Sequence, residues 1–362
     1  MSDWVNTTIG GVLPFRYGKG LSQRMRTHSG KFHVVSSAGV IDTHDEALTG
    51  GPTVVVGRKG SIGTVYYCPD PVFPIDTTFF VEGSDRVDTR FAFYLLSTLP
   101  LSQMNNDSAV PGLNRVQAEN LEILLPPIDE QRSIAATLGA LDDKIESNRR
   151  LVEIIPQLIR AMVVRSLPAS PRQVPVAHLA TFVNGGAYTK GASGVGRIVI
   201  RIAELNSGVG GSTVYNDIDV PDDKIARPGD ILMSWSGSLG VYRWKLDEAI
   251  VNQHIFKVLP SDGYPAWFVH DRLDAVMSVF RGIAQDKATT MGHIQRGHLE
   301  STMIEVPMPD VIQRLDEIVA PLWKLLLLAE REVVDLTALR DALLPELLSG
   351  RIQVPAAGGA AI

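Results

Sequence analysis

Apolar residues recur at alternating spacings of four and three along Ile134, Leu138, Leu141, Ile145, Asn148, Val152, Ile155, Ile159 and Met162, with Asn148 the one polar member. A sustained a/d pattern of this kind predicts a long helix with a single seam to bury. A second stretch, Ile318, Leu322, Leu325, Ala329, Glu332, Leu336, Leu339 and Leu343, repeats the spacing and places polar Glu332 at the matching position. A helix with one apolar stripe is marginal without a partner. The other copy is the obvious partner, although each stripe could instead dock on its own neighbouring globule. Pro156, Pro321 and Pro345 lie inside these stretches. An interior proline removes a hydrogen bond, so a bend or break is expected near Pro156 and a short first segment before Pro321.

Outside the two helices the pattern is β-rich and occurs twice. "YGKG" at Tyr17 to Gly20 returns as "YTKG" at Tyr188 to Gly191, each after a short apolar run. "GSIG" at Gly60 to Gly63 returns as "GSLG" at Gly237 to Gly240, and each separates two strand-like runs, as a hairpin turn would. "ILLPPIDEQR" at Ile123 to Arg132 returns as "IEVPMPDVIQR" at Ile304 to Arg314 with one residue inserted. These three matches and the two seams that follow them, all in one order, predict two tandem copies of a mixed α+β globule followed by a long helix.

Composition changes this picture little. The chain has 362 residues, 45% hydrophobic and 20% charged, enough for two cores of ordinary size. The apolar runs are too short to cross a bilayer, no signal-peptide pattern opens the chain, and the single cysteine, Cys68, excludes an internal disulfide framework or multi-Cys zinc site. A soluble cytoplasmic protein without membrane contact is the expectation. The net charge of −6 is spread unevenly. Arg16, Lys19, Arg24, Arg26 and Lys31 share a stretch with no acidic residue, whereas the first long helix is acid-rich. Phosphate contacts need only such a local basic face. A helix of about 30 residues is roughly 45 Å long, against about 34 Å for a DNA turn. That geometry suits two modules reading short sites about one turn apart.

"LPPIDEQRSIAATLGALDDKIESNRRL" (residues 125–151), the hairpin "VVVGRKGSIG", "GDILMSWSGSLG" and the terminal "LRDALLPELLSGRI" resemble the specificity subunit of type I restriction-modification enzymes over nearly the whole chain. The resemblance implies an α+β fold of two tandem target-recognition domains separated by two long antiparallel coiled-coil helices, a pseudo-twofold internal repeat. It divides the chain into recognition domains at 1–124 and 171–305, spacer helices at 125–170 and 306–354, and a flexible tail at 355–362. Each domain would read one half of a bipartite, asymmetric site in double-stranded DNA. The helices would set the spacer and dock two methyltransferase subunits, and a motor-nuclease subunit would join them. S-adenosylmethionine is expected in the methyltransferase partner, and no cofactor in this chain. The second helix departs from the pattern, with Ile312-Gln313-Arg314 where the first has Glu130-Gln131-Arg132. Its methyltransferase contacts are therefore in doubt.

On that reading the DNA-contacting candidates in the first copy are Lys19, Arg24, Arg26 and Lys31, then Arg58 and Lys59 on the hairpin, then Asn114 and Arg115 after "VPGL". In the second copy they are Lys190, Arg197 and Arg201, Ser236 and Ser238 on the hairpin, and Lys287, Gln295 and Arg296 near the "TTMGHIQR" turn. Lysine and arginine neutralise phosphates, and arginine also grips guanine with two donors. The plain alternative is that these charges only solvate loops. Trp235 is expected to pack in the core, and His254 either packs or touches DNA. Helix pairing is assigned to Leu138, Leu141, Ile145, Asn148 and Val152 against Leu322, Leu325, Ala329, Glu332 and Leu336.

No catalytic or metal-binding constellation is found. Asp70-Pro71-Val72-Phe73 lacks the second proline of an adenine-methyltransferase motif, and the glycines of "GASGVGRIVIRI" precede a strand instead of following one. A non-catalytic specificity subunit is therefore favoured. The alternatives are the specificity subunit of a related system without type I cleavage, a self-contained enzyme, or a coiled-coil scaffold that does not bind DNA.

Overall fold

The computed structural model describes residues 3–104, 112–286 and 292–354. Its contacts fall into two units, one running to Lys144 and resuming at Leu336, the other spanning Ile145–Asp335.

Along the first unit come β1 (Val5–Thr8), α1 (Ile9–Val12), β2 (Arg16–Tyr17), β3 (Phe32–Ser36), β4 (Gly39–His44), β5 (Thr53–Gly57), β6 (Val65–Cys68), β7 (Val72–Pro74), β8 (Thr78–Glu82), α2 (Thr89–Thr98), α3 (Arg115–Glu119) and β9 (Glu122–Leu125). The valines of β5 suit a pleated surface, and the strand is buried throughout at the middle of the sheet β2-β8-β5-β6. Its antiparallel pairing with β6 closes the "GSIG" hairpin, whose Gly60 sits at φ 78°, a region that costs glycine little. A second sheet, β4-β3-β7, contains a parallel pair, and β1 pairs with β9 so that the globule's two ends meet. Asp88 starts α2 by accepting the Phe91 amide, and α2 lays Phe91, Leu95 and Leu96 into the core with Phe15, Val54 and Phe79.

The chain then continues as α4 (Ile128–Ser166). The second unit follows with β10 (Arg172–Pro175), β11 (Ala180–Asn184), β12 (Arg197–Ile200), α5 (Ile202–Ser207), β13 (Val214–Asn216), β14 (Ile225–Ala226), β15 (Ile231–Ser234), β16 (Gly240–Arg243), β17 (Ala249–Val251), β18 (Ile255–Pro260), α6 (Ala266–Asp286), α7 (Arg296–Ser301), β19 (Met303–Val306) and α8 (Pro309–Leu348). Its sheets repeat those of the first unit. β11-β18-β15-β16 matches β2-β8-β5-β6, β13-β12-β17 matches β4-β3-β7 with β14 added, and β10 pairs with β19 as β1 does with β9. The parallel pair recurs too, as β12 with β17. The chain is thus an α+β fold written twice.

Neither long helix is broken at proline. α4 continues through Pro156, and α8 through Pro321 and Pro345. All three rings are exposed, so each interruption removes one bond on the solvent face, where water serves the freed carbonyl. The packing also divides differently from the five-part scheme. Ile134, Leu138, Leu343, Leu344 and Leu347 share a core with Phe91 and Leu95 of the first unit. Ile155, Ile159, Val163, Val319 and Leu326 share one with Trp267 and Phe280 of the second. Each helix therefore contributes one end to each unit's core and is not a separate body. The proposed tail, 355–362, lies outside the described residues.

Candidate nucleic-acid interface

In the first unit the basic stretch after β2 lies at the surface. Lys19, Arg24 and Lys31 are exposed, with the Lys31 ammonium 5.5 Å from the Phe32 ring centre. Gly18 is required by space, because a Cβ there would meet the Ile75 carbonyl oxygen at 2.0 Å. Two of the five cations are already engaged. Arg16 pairs with Glu82 at 2.6 Å. Arg26, expected to contact DNA, has a side chain only 15% exposed, donates to the Leu21 carbonyl at 3.3 Å and faces Asp42 at 3.7 Å. The Asp42 carboxyl is held below its ordinary pKa first by the Thr43 amide, with partial desolvation opposing, and then by His28 and Arg26. Arg26 pins the loop.

The β5–β6 hairpin brings residues distant in sequence to one place. The Arg58 and Lys59 amides both donate to the Thr77 carbonyl, at 2.9 and 3.1 Å, and the Leu113 amide donates to the Arg58 carbonyl at 2.9 Å. Arg58 lies over the Tyr17 ring at 4.9 Å and over Phe79 at 5.7 Å, while its Nη1 donates to the Asp76 carbonyl at 3.3 Å. Arg115 approaches the same Tyr17 ring at 5.6 Å, with its Nε donating to Glu119 at 2.8 Å. That Glu119 oxygen also accepts the Phe15 amide at 2.7 Å, so the carboxylate itself is fixed. Tyr17 is 50% exposed. Asn114 caps α3 by accepting the Gln117 amide at 3.1 Å. Lys59 is exposed at the tip. Tyr17 was not among the sequence candidates, although "YGKG" and "YTKG" carry a tyrosine in both copies.

The equivalent place in the second unit is chemically different. The Ile294 amide donates to the Trp235 carbonyl at 2.9 Å, as Leu113 does to Arg58. Trp235 thus stands where Arg58 stands. Its ring lies 5.4 Å from His254 and 5.9 Å from Phe256, and its buried Nε1 has no hydrogen-bond partner among the described residues. His254 is exposed beside it. Ser238 is exposed and Gly237 holds φ 66°, but Ser236 is 8% exposed and bridges to His293. Gln295 caps α7, and Arg296, exposed, reaches the Phe182 carbonyl at 3.3 Å beside a groove of about 400 Å³ that Thr181, Asn184 and Lys224 also line. Lys190 is exposed.

Two expected contacts are engaged by partners within their own unit. Arg197 donates to the Ile218 carbonyl at 2.8 Å. Arg201 clasps buried Glu204 at 2.6 Å and the Ser212 carbonyl at 2.6 Å. Both stabilise the turn around β12 and β13, a use that charge patterning does not distinguish from surface binding. Lys287 lies outside the described residues.

The long helices pair antiparallel within each unit. In the second, the Asn148 amide donates to Glu332 at 2.7 Å, joining the two polar positions of the seams. In the first, Arg340 bonds Asp142 at 2.9 Å. Leu138 and Ile145 are fully buried, Leu141 and Val152 half-buried. On α8, Ala329 is buried, and Leu322 and Leu336 are half-buried. Leu325, however, is 42% exposed, as are Ile318 and Leu339 at 56% and 47%. The buried seam there uses Ile312, Val319, Leu326, Ala329 and Leu347. Four consecutive leucines, Leu325 to Leu328, let an apolar residue satisfy either spacing, and the buried position lies one residue on at two places, Val319 for Ile318 and Leu326 for Leu325.

The "EQR" residues are mostly internal. Gln131 is fully buried, accepting the Asp88 amide at 3.0 Å and donating to the Arg86 and Pro126 carbonyls at 3.0 and 2.8 Å. Glu130 accepts the Trp4 indole at 2.8 Å. The absence of a Glu-Gln pair in α8 therefore first concerns how that helix meets its own globule. In its place Trp267 donates to Asp316 at 2.6 Å, Arg160 binds Asp271 and Asp274, and Arg243 bonds Glu330 at 2.6 Å while lying 4.1 Å over Trp323. His270 packs on Trp323, and burial, with the Arg243 charge second, lowers its pKa to about 4. Among the described residues no cluster of three or more His, Cys, Asp or Glu is arranged to hold a metal, and no helix is long and apolar enough to cross a membrane.

Comparison with known proteins shows what this chain is similar to. The sequence profile of the type I restriction modification DNA specificity domain matches residues 1–157. The MjaIX type I restriction enzyme specificity subunit of Methanocaldococcus jannaschii is 22% identical over 345 residues, 83% of this chain and 78% of that protein. The EcoprrI specificity subunit of Escherichia coli is 24% identical over 140 residues, 37% of this chain and 35% of that one. A solved type I restriction-modification S subunit from M. genitalium superposes with a TM-score of 0.75 at 16% identity, covering 95% of this chain and 96% of the other, so the fold is shared. Residues 1–157 thus match the type I restriction modification DNA specificity domain, and over nearly its whole length the chain shares the fold of a type I restriction-modification S subunit.

Proposed function

We propose that this chain is the non-catalytic DNA-reading subunit of a type I restriction-modification enzyme. Each unit reads one half of a bipartite, asymmetric site. α4 and α8, each of which enters both units, set the spacer and dock two methyltransferase subunits. The methyltransferases supply S-adenosylmethionine and the methyl transfer, a motor-nuclease subunit completes the assembly, and the complex works on cytoplasmic DNA. One observation carries the reading. The same hairpin place in two copies of one fold holds an arginine on a tyrosine in one unit and a tryptophan beside a histidine in the other. One scaffold with two unlike surfaces suits a protein that reads two unlike sequences.

The test is duplex binding by the purified chain across a salt series, together with a radiolabelled methyl-transfer assay on the same preparation. Neutralised phosphates release counterions, so affinity should fall linearly on a log–log plot as salt rises, while methyl transfer appears only when the methyltransferase is added. Methyl transfer by the chain alone, or salt-insensitive binding, would contradict the proposal.

A further inference from the structure

Resting on the DNA-reading function above, we propose that Arg58 and Arg115, stacked on Tyr17, read guanine in the half-site of the first unit, and that Tyr17 is their positioning residue. Among the described residues each guanidinium is held by one hydrogen bond, and the two bonds engage different nitrogens. Arg58 uses Nη1 on the Asp76 carbonyl, which leaves its Nε–Nη2 edge. Arg115 uses Nε on Glu119, which leaves its Nη1–Nη2 edge. Each therefore keeps one complete two-donor edge, the arrangement that matches guanine O6 and N7 in the major groove.

The aromatic ring makes this more than two surface cations. Tyr17 lies 4.9 Å below Arg58 and 5.6 Å from Arg115, so both guanidiniums rest on one surface instead of sampling solvent. Phe79, 1% exposed and 5.0 Å from Tyr17, backs the ring from the core. Order imposed before binding is order that DNA need not impose, and it favours directional base contacts over adjustable phosphate contacts. The exposed lysines of the same unit, Lys19, Lys59 and Lys31 (the last 5.5 Å from the Phe32 ring), carry compact point charges without a planar two-donor edge and suit phosphates. The second unit has no arginine at the Arg58 place and would not share this preference.

The experiment is selection of binding sites from a random duplex pool by the full chain, wild-type and as Arg58→Lys, Arg115→Lys, Tyr17→Leu and Tyr17→Phe. Wild-type should enrich two half-sites, one with guanine at two fixed positions, one for each arginine. The lysine variants and Tyr17→Leu should lose discrimination at that half-site by roughly 5- to 150-fold, as expected for a bidentate contact. Binding to unselected duplex should stay within about threefold, and Tyr17→Phe, which keeps the ring, should keep the discrimination. Replacing one selected guanine by 7-deazaguanine, which lacks the N7 acceptor, should weaken wild-type but not the lysine variant of the arginine that reads it. An enriched site whose affected half contains no guanine, or variants that weaken all duplexes equally as phosphate contacts would, overturns the guanine assignment alone. No enriched sequence at all overturns DNA specificity itself, and this inference with it.

Discussion

Residues that carry meaning here do so through what they touch, and Gln131 is the clearest case. The "DEQR" string suggests a partner-facing motif, yet Gln131, itself fully buried, satisfies three backbone groups at the junction of β9, α2 and α4. Gln131→Ala should destabilise the chain by about 2–4 kcal/mol in a urea titration, because a buried group left unpaired costs about 1–3 kcal/mol. A change below about 0.5 kcal/mol would show that water replaces the amide. His270 gives a pH dependence. Its folded pKa of about 4 lies below the ordinary histidine value of about 6.5. Between these values the unfolded chain takes up a proton that the folded chain refuses, so stability falls as pH drops from about 6.5 toward 4 and is flat above. At pH 5 the loss should be on the order of 2 kcal/mol relative to pH 7.5, and His270→Gln should remove it. Equal pH slopes for wild-type and variant would assign the effect to other groups.

Residue chemistry was only partly legible in the sequence, for a physical reason. Arg26, Arg197 and Arg201 look like surface cations in a string of letters. Asp42 for Arg26, the Ile218 carbonyl for Arg197 and the Ser212 carbonyl for Arg201 become neighbours only after folding, while the local Leu21 carbonyl and Glu204 depend on the turn each stretch adopts. Tyr17 went unnoticed for the converse reason, since its two arginines lie 41 and 98 positions away.

At the scale of elements the repeat was readable because turns have strict local chemistry. The "GSIG" and "GSLG" hairpins, both with a glycine at positive φ, stand between paired strands in both units. The existence of the two long helices was equally readable from the four-three spacing. Their bounds and the exact face were not. The run Leu325 to Leu328 is compatible with two seams, and packing selects Leu326, 2% exposed, over Leu325. Leu326→Ala should therefore cost about 2–4 kcal/mol, and Leu325→Ala less than about 1 kcal/mol, in matched denaturation curves. The reverse order would mean that α8 turns its other face inward in solution. Asn148 and Glu332 contribute differently. A bond from buried Asn148 to exposed Glu332, at the rim of an otherwise apolar seam, fixes register more than it adds stability.

At the scale of the whole molecule, one fold occurs twice and two helices each enter both copies. Duplication explains how a single chain keeps a common framework while its hairpin surfaces diverge, Arg58 with Tyr17 in one and Trp235 with His254 in the other. The antiparallel pairing joins the start of α4 to the end of α8 in the first unit, and the end of α4 to the start of α8 in the second. On the proposed function, helix length then governs the number of base pairs between the half-sites. The most direct measurement is methylation mapping, with the methyltransferase partner, of a variant carrying one extra heptad in both helices, after Lys144 and after Asp335. Seven residues preserve the seam and add about 10 Å, or roughly three base pairs. Both half-site sequences should be unchanged and the spacer between them longer by about three base pairs. An unaltered spacer in a folded, active variant would contradict the claim that the paired helices measure the site.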